Sequence, residues 1–196
     1  MSFHELMTHI TKSRHLRIAL VKFTKANTSA LEGLALILSE LIIDGDRGII
    51  LILSNRPASS VVDKLAKRIT ELPRAIKEGR VYLIDCLTKS VNGPLIPDVR
   101  NLLLTSSPAD LNELQLNMER ALRGLGKRYR EIWMIMDGLS TFLLFNGLSK
   151  VMRFLIFCIN RLRSLNHYGA ILYYGSELEK QIEGLLRQYV DAVCEI

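Results

Sequence analysis

Cysteine is scarce and unpatterned in this sequence. The three that occur, Cys86, Cys158 and Cys194, are an odd number, lie far apart and sit inside apolar runs. None makes the C-x-x-C spacing that zinc sites and redox motifs use, so buried free thiols are expected. Histidine is equally sparse. His4, His9, His15 and His167 form neither H-E-x-x-H nor H-x-x-x-H, and no metal site is expected. A long hydrophobic run is missing too. The nearest approach to the ~18–20 apolar residues of a membrane span, Leu139 to Leu165, is interrupted by Lys150, Arg153, Arg161 and Arg163. The opening MSFHELMTHITKSR lacks the apolar centre and small-residue cleavage site of a secretory signal. Together these absences predict a soluble, cytoplasmic protein with no membrane partner.

With 5 prolines and 12 glycines in 196 residues, no linker, low-complexity tract or repeat divides the chain. What is abundant is apolar side chain, at 48% of residues, which suits one large core and excludes intrinsic disorder. The net charge of +6 permits acidic partners or nucleic acid without requiring either.

The apolar pattern switches period repeatedly along the chain. His15 to Phe23, Gly48 to Leu53, Arg80 to Ile84, Asn101 to Thr105, Glu131 to Asp137, Gly169 to Tyr174 and Tyr189 to Ile196 read as strands. Between them, helical stripes run over Ala30 to Ile43, from about Ser59 with Pro73 kinking or ending the helix, over Asp110 to Leu125, from near Asn146 to Leu165, and over Ser176 to Arg187. Phe3, Leu6, Met7 and Ile10 predict a further helix within residues 1–14, ahead of a single domain over 15–196. Strands that are apolar throughout, alternating with amphipathic helices, indicate a mainly parallel sheet covered on both faces, a three-layer αβα domain. Ser176-x-x-Glu179 and Asp110-x-x-Glu113 are helix-start signals that agree with it.

The segments SNRPASSVVDKL, RVYLIDCLTKS, TSSPADLNELQLNMERAL and WMIMDGLSTFLLFNGLSKVMRFLIFCINRLRS resemble archaeal proteins of the RecA/KaiC-like class of P-loop ATPase folds, in matching order over roughly residues 15–196. The strand ending in Asp137-Gly138-Leu139-Ser140-Thr141 looks like a Walker B strand with its following loop. The resemblance implies a RecA-like fold and, after the first strand, a phosphate-cradling G-x-x-x-x-G-K-[ST] loop. This sequence instead reads Lys25-Ala26-Asn27-Thr28-Ser29-Ala30-Leu31-Glu32. An ungapped alignment puts Leu31 at the motif lysine and Glu32 at its Mg²⁺-binding hydroxyl. Ser29-x-x-Glu32 is itself a capping box, which consumes the helix N–H donors that a phosphate would use. The carboxylate implied at the end of the second strand is replaced by Ser54-Asn55-Arg56-Pro57. A degenerate site without ATP hydrolysis, and without a cofactor, is the expectation. Asp137 alone then reads as a strand-terminating, turn-capping residue.

Ligands of open α/β sheets bind beyond the carboxyl ends of the strands. The residues placed there are Lys25, Arg56, Asp85, Lys89, Asp137 and Ser140, candidates for holding a nucleotide or small anion. Asp85 and Asp137 could form an acid/base dyad, but no nucleophile or base motif accompanies them. Arg123, Lys127, Arg128 and Arg130 form a basic group at one helix end, and Lys12, Arg14 and Arg17 another. Macrodipole complementation explains such charge, and a nucleic-acid surface is the alternative. The long helix after Asn146 carries Phe154, Phe157 and Cys158 beyond its main stripe. That face is either buried under a neighbour or offered to a partner. The reading that absorbs most of these observations is a non-catalytic domain acting by protein interaction, as a homo-oligomer or with a RecA-like ATPase partner. Alternatives are a ligand-sensing domain and a nucleic-acid accessory protein.

Overall fold

A computed structural model describes residues 5, 16–23, 29–43, 45–96 and 99–195. The helix expected within residues 1–14, together with Lys12, Arg14 and Lys25, lies outside these residues. The strands are β1 (Ile18–Lys22), β2 (Arg47–Leu53), β3 (Val81–Asp85), β4 (Leu102–Leu104), β5 (Glu131–Asp137), β6 (Tyr168–Tyr173) and β7 (Ala192–Glu195). The helices are α1 (Ala30–Ile43), α2 (Ala58–Ala66), α3 (Leu72–Lys77), α4 (Leu111–Gly126), α5 (Leu139–Asn146), α6 (Leu148–Ser164) and α7 (Glu177–Leu186). All seven strands join one parallel sheet in the order β4-β3-β2-β5-β6-β1-β7. The domain is therefore α/β with three layers.

Handedness decides which face each helix covers. Crossovers between parallel strands are right-handed, so connections that move one way along the sheet pack on one face and those that move the other way pack opposite. The paths β1→β2→β3 travel towards the β4 edge, and α1, α2 and α3 share a core with Ile49, Leu51, Leu53, Trp133 and Ile135. The paths β4→β5→β6→β7 travel back, and α4 to α7 share the other core with Ile50, Ile52, Ile132, Met134 and Met136. Successive residues of β2 and β5 thus serve opposite cores, which is why these strands are apolar without alternation.

One local expectation needs correction. Pro73 neither kinks nor ends a helix. The chain leaves helical geometry after Ala66, and Pro73 sits in the first turn of α3, where its missing N–H costs nothing. The long helix expected from near Asn146 to Leu165 is α6, and a further helix that the pattern did not announce, α5, precedes it. Gly147, at φ 73° and ψ 164°, separates α5 from α6, a backbone geometry open to glycine and strained for other residues. The added helix also decides the extra apolar face of α6. Phe154 and Cys158 are buried, with Phe142 of α5 set against Phe154 at a centroid distance of 6.4 Å.

All three cysteines are buried and free. Burial pushes the Cys86 thiol up to about 12 and raises Cys158 as well, so neither offers a thiolate at neutral pH. Among the described residues, no helix is long and apolar enough to cross a membrane, and no cluster of metal-ligating side chains occurs.

Candidate functional site at the carboxyl ends of the strands

Crevices open where neighbouring strands send their connections to opposite faces. Two such places exist. Between β2 and β5 the chain departs to α2 on one side and α5 on the other. Between β6 and β1 it departs to α7 and α1. At each, side chains of the described residues bridge from one strand end to the next.

At the first, buried Ser54 donates its hydroxyl to the Gly138 carbonyl at 2.9 Å, across from β2 to the end of β5. Gly138 has φ +97°, and a Cβ there would lie 2.0 Å from Ser54 Oγ. Only glycine satisfies both the backbone geometry and the close approach. Thr141 donates to Asn55 Oδ1 on the rim.

At the second, Tyr174 reaches from the end of β6 towards the start of α1. Its ring stacks on Phe23 at 4.9 Å, and its hydroxyl lies 3.3 Å from the Ala30 carbonyl and 3.0 Å from Asp137 Oδ1. Burial, then the Asp137 carboxylate, push the Tyr174 phenol far above its usual range, so it stays protonated and donates. Asp137 is 7% exposed, and burial lifts its carboxyl to about 6. The Tyr174 hydrogen bond, the Arg56 charge and the Gly138 N–H oppose that rise, while the Glu179 carboxylate adds to it.

Glu179 is fully buried in the first turn of α7 and completes the reciprocal capping box with Ser176. Its Oε2 also accepts from the Tyr174 N–H at 2.9 Å, while Oε1 has no hydrogen-bond partner among the described residues. Ser140 Oγ lies 2.8 Å from Ser176 Oγ, tying α5 to this cap. The corresponding start of α1 is capped in the same way. Ser29 N–H donates to Glu32 Oε2 at 3.0 Å and Glu32 N–H to Ser29 Oγ at 3.3 Å. These bonds and Arg68, 3.1 Å away, hold the Glu32 carboxyl below its usual range. Ser29→Ala is expected to lose about 1 kcal/mol of stability, checked by urea unfolding. An unchanged midpoint would mean that the cap contributes nothing.

The structure therefore brings Asp137 and Ser140 together with Tyr174, Ser176 and Glu179, and sets the Arg56 charge within reach of Asp137. Asp85 stands apart. β3 and β5 flank β2, with Leu53 in register with both aspartates. Two interstrand spacings separate the carboxyls, about 10 Å, too far to share a proton. The hydrogen bonds of Asp85 go to its own turn and to the start of α2, none to Asp137. Oδ2 accepts from the Ala58 N–H (2.7 Å) and the Thr88 hydroxyl (2.6 Å), Oδ1 from the Leu87 (2.8 Å) and Thr88 (2.9 Å) N–H groups. Lys89 pairs with Glu113 at 3.5 Å. Tyr174, which dominates the second crevice, stands at a strand end that the sequence places on the rim, but its role as an occupant depends on β6 lying beside β1.

Cavities open elsewhere among the described residues. One of about 690 Å³ lies between α4 and α6, floored by Phe154 and Phe157 and walled by Lys150 and Arg153 opposite Asn112 and Gln115. Another, of about 300 Å³, lies at the amino ends of the strands.

No protein-family model matches the chain, and no curated protein matches it. Among solved structures, it is similar to an uncharacterized protein from Pyrococcus horikoshii crystallised in complex with an unknown peptide, with a TM-score of 0.73 at 12% identity. The likeness covers 98% of this chain and 82% of that one. It is a likeness of fold.

Proposed function

We propose that this chain is a non-catalytic RecA/KaiC-like domain that works by binding another protein, either a second copy of itself or a RecA-like ATPase partner. The observation that carries the reading is the Tyr174 hydroxyl set between the Ala30 carbonyl and Asp137 Oδ1. In the resemblance to P-loop ATPases, the start of α1 and the aspartate of β5 are where phosphates and Mg²⁺ belong. Here a phenol occupies the gap and donates to the aspartate that would serve the metal. The capping box takes the Ser29 and Glu32 N–H groups, and Glu32 opposes an anion by its charge.

For the interaction itself, support comes from apolar side chains left outside the two cores. Leu144 and Phe145 of α5 are 72% and 51% exposed, adjacent in a helix whose other apolar residues are buried. The similar Pyrococcus protein was crystallised with a peptide, and the groove between α4 and α6 offers this chain an apolar floor for one.

Calorimetry with Mg·ATP, on protein whose mass is fixed by light scattering, tests the reading. No heat is expected at millimolar nucleotide, together with a mass above that of one chain or a stable complex with an ATPase. Replacing Leu144 and Phe145 by aspartate is expected to return the mass to a monomer's. Micromolar nucleotide binding would overturn the non-catalytic assignment, and an assembly untouched by the double replacement would remove α5 from the contact.

A further inference from the structure

We propose that the 300 Å³ cavity at the amino ends of the strands is a phosphate-binding site, at the opposite edge of the sheet from the strand-end crevices. Three cations on separate elements line it: Lys77 at the end of α3, Arg100 before β4 and Arg128 after α4. Among the described residues that line it the one anion is Glu78, which already accepts from Arg74 Nε at 2.7 Å. The cavity therefore holds more positive charge than its own lining neutralises.

Positive charge is expected at this edge for an ordinary reason. Helices that follow parallel strands run back along the sheet, so their carbonyl ends collect here and favour cations. An arginine stands at or within two residues of the amino end of five strands, as Arg17, Arg47, Arg80, Arg100 and Arg130. Several of the cations here do this structural work. Arg80 donates to the Ile42 carbonyl at 2.7 Å, Arg17 to Asn166 at 2.6 Å, and Arg47 pairs with Glu131 at 3.6 Å. Lys77 and Arg100 do none of it. Both are exposed, and neither has an ion-pair or hydrogen-bond partner among the described residues. They exceed what the helix ends use.

The remaining groups are arranged for an oxyanion. Arg128 is held in place on two sides, its Nη1 donating to the Glu78 carbonyl at 2.7 Å and its guanidinium over the Tyr129 ring at 5.4 Å. A guanidinium fixed in this way loses little freedom on binding and keeps donors for a phosphate. Tyr82 brings a hydroxyl that has no hydrogen-bond partner among the described residues. Gly124 makes room for it, since a Cβ there would lie 2.4 Å from Tyr82 Oη. An ammonium, two guanidiniums and a phenol converging on one small opening match the three-oxygen face of a phosphate group.

The ligand could be a free phosphorylated molecule or one phosphate of a nucleic-acid strand. The neighbouring cations favour the strand. Arg123, Lys127 and Arg130 surround the end of α4 next to Arg128, all exposed and without partners among the described residues, so positive charge continues past the cavity.

Two probes, each titrated into the intact protein, test this: a fluorescein-labelled 12-nucleotide single-stranded DNA followed by anisotropy, and pyrophosphate followed by calorimetry. Binding of the DNA should weaken with salt at a log–log slope of about −2 to −3, as three or four phosphate contacts require. Arg100→Glu and Lys77→Glu should each weaken binding at least tenfold, and Tyr82→Phe severalfold. Lys150→Glu, the same charge change in the α4–α6 groove, should leave it unchanged, and circular dichroism should show all four variants folded. DNA bound more tightly than pyrophosphate identifies the strand as the source, and the reverse order a free phosphorylated molecule. Silence with both probes, or a loss on Lys150→Glu equal to that on Arg100→Glu, overturns the site. Neither result bears on nucleotide exclusion by Tyr174.

Discussion

Asp85→Ala is expected to destabilise the protein by about 3–5 kcal/mol, the range found when a buried, multiply bonded polar group is removed from among its partners. Asp85 is 1% exposed and accepts four hydrogen bonds. α2 has no side-chain cap of its own, because Pro57 precedes it, and the carboxyl supplies one from 27 residues along the chain by accepting from Ala58 N–H. The same group closes the turn after β3 through Leu87 and Thr88. Deleting it strands two buried N–H groups, a partly buried one and a buried hydroxyl, each costing about 1–3 kcal/mol when left unpaired, less whatever water recovers. In a domain of this size the melting temperature should fall by roughly 6–20 °C.

Asn at this position distinguishes a hydrogen-bond hub from a packing role. Each carboxyl oxygen faces two donors, so an amide, whichever way it is turned, sets its NH₂ against one pair. Asp85→Asn should therefore lose nearly as much as Asp85→Ala, although it preserves shape. Urea unfolding of both variants decides the point. An Asp85→Asn protein within about 1 kcal/mol of the parent would show that shape, and not acceptance, is what the site needs. The residue was placed at the ligand rim by its position at a strand end. Its structure makes it the joint that fixes α2 and the β3 loop beneath that rim.

What the sequence disclosed and what it hid divide along a physical line. Features encoded within one turn or one strand were readable. β5 occupies the expected Glu131 to Asp137, and the Asp110 cap of α4 and the Ser176/Glu179 box are in place. α5 was hidden because LSTFLLFN is apolar with no helical stripe, so the readable pattern begins only near Asn146, where the stripe of α6 starts. Strand order is set by contacts between distant segments, and three findings depend on it. Tyr174 meets Asp137 and Ala30 only because β6 lies between β5 and β1. Asp85 and Asp137 part because β2 lies between them. Lys77 and Arg100 join Arg128 only because β3, β2 and β5 lie side by side. Residue type marked the basic group and the acidic strand ends, but their neighbours, and so their chemistry, came from topology.

Asp137→Asn should stabilise the protein at neutral pH, by up to about 2–3 kcal/mol, a pKa displacement of this size converted at 1.36 kcal/mol per unit. Burial raises the native carboxyl from 3.8 to about 6. The folded state therefore binds the proton more tightly than the unfolded chain. Stability from this group is complete below about pH 4 and is lost as pH rises through about 6. Asparagine stays neutral throughout and its oxygen can still accept from Tyr174, so the variant should lack this loss. The advantage of Asp137→Asn over the parent should then be small at pH 4.5, grow through pH 6 and level off by pH 8, in urea titrations at the three values. The amide brings two N–H donors into a nearly dry site, and what they fail to satisfy is subtracted at every pH equally. The pH dependence is thus the clean reading. If Asp137→Asn instead loses stability as pH rises, the aspartate works as an ion with a cation beside it. The crevice would then be an electrostatic site held open for a ligand, and the case for Tyr174 as its permanent occupant would fall.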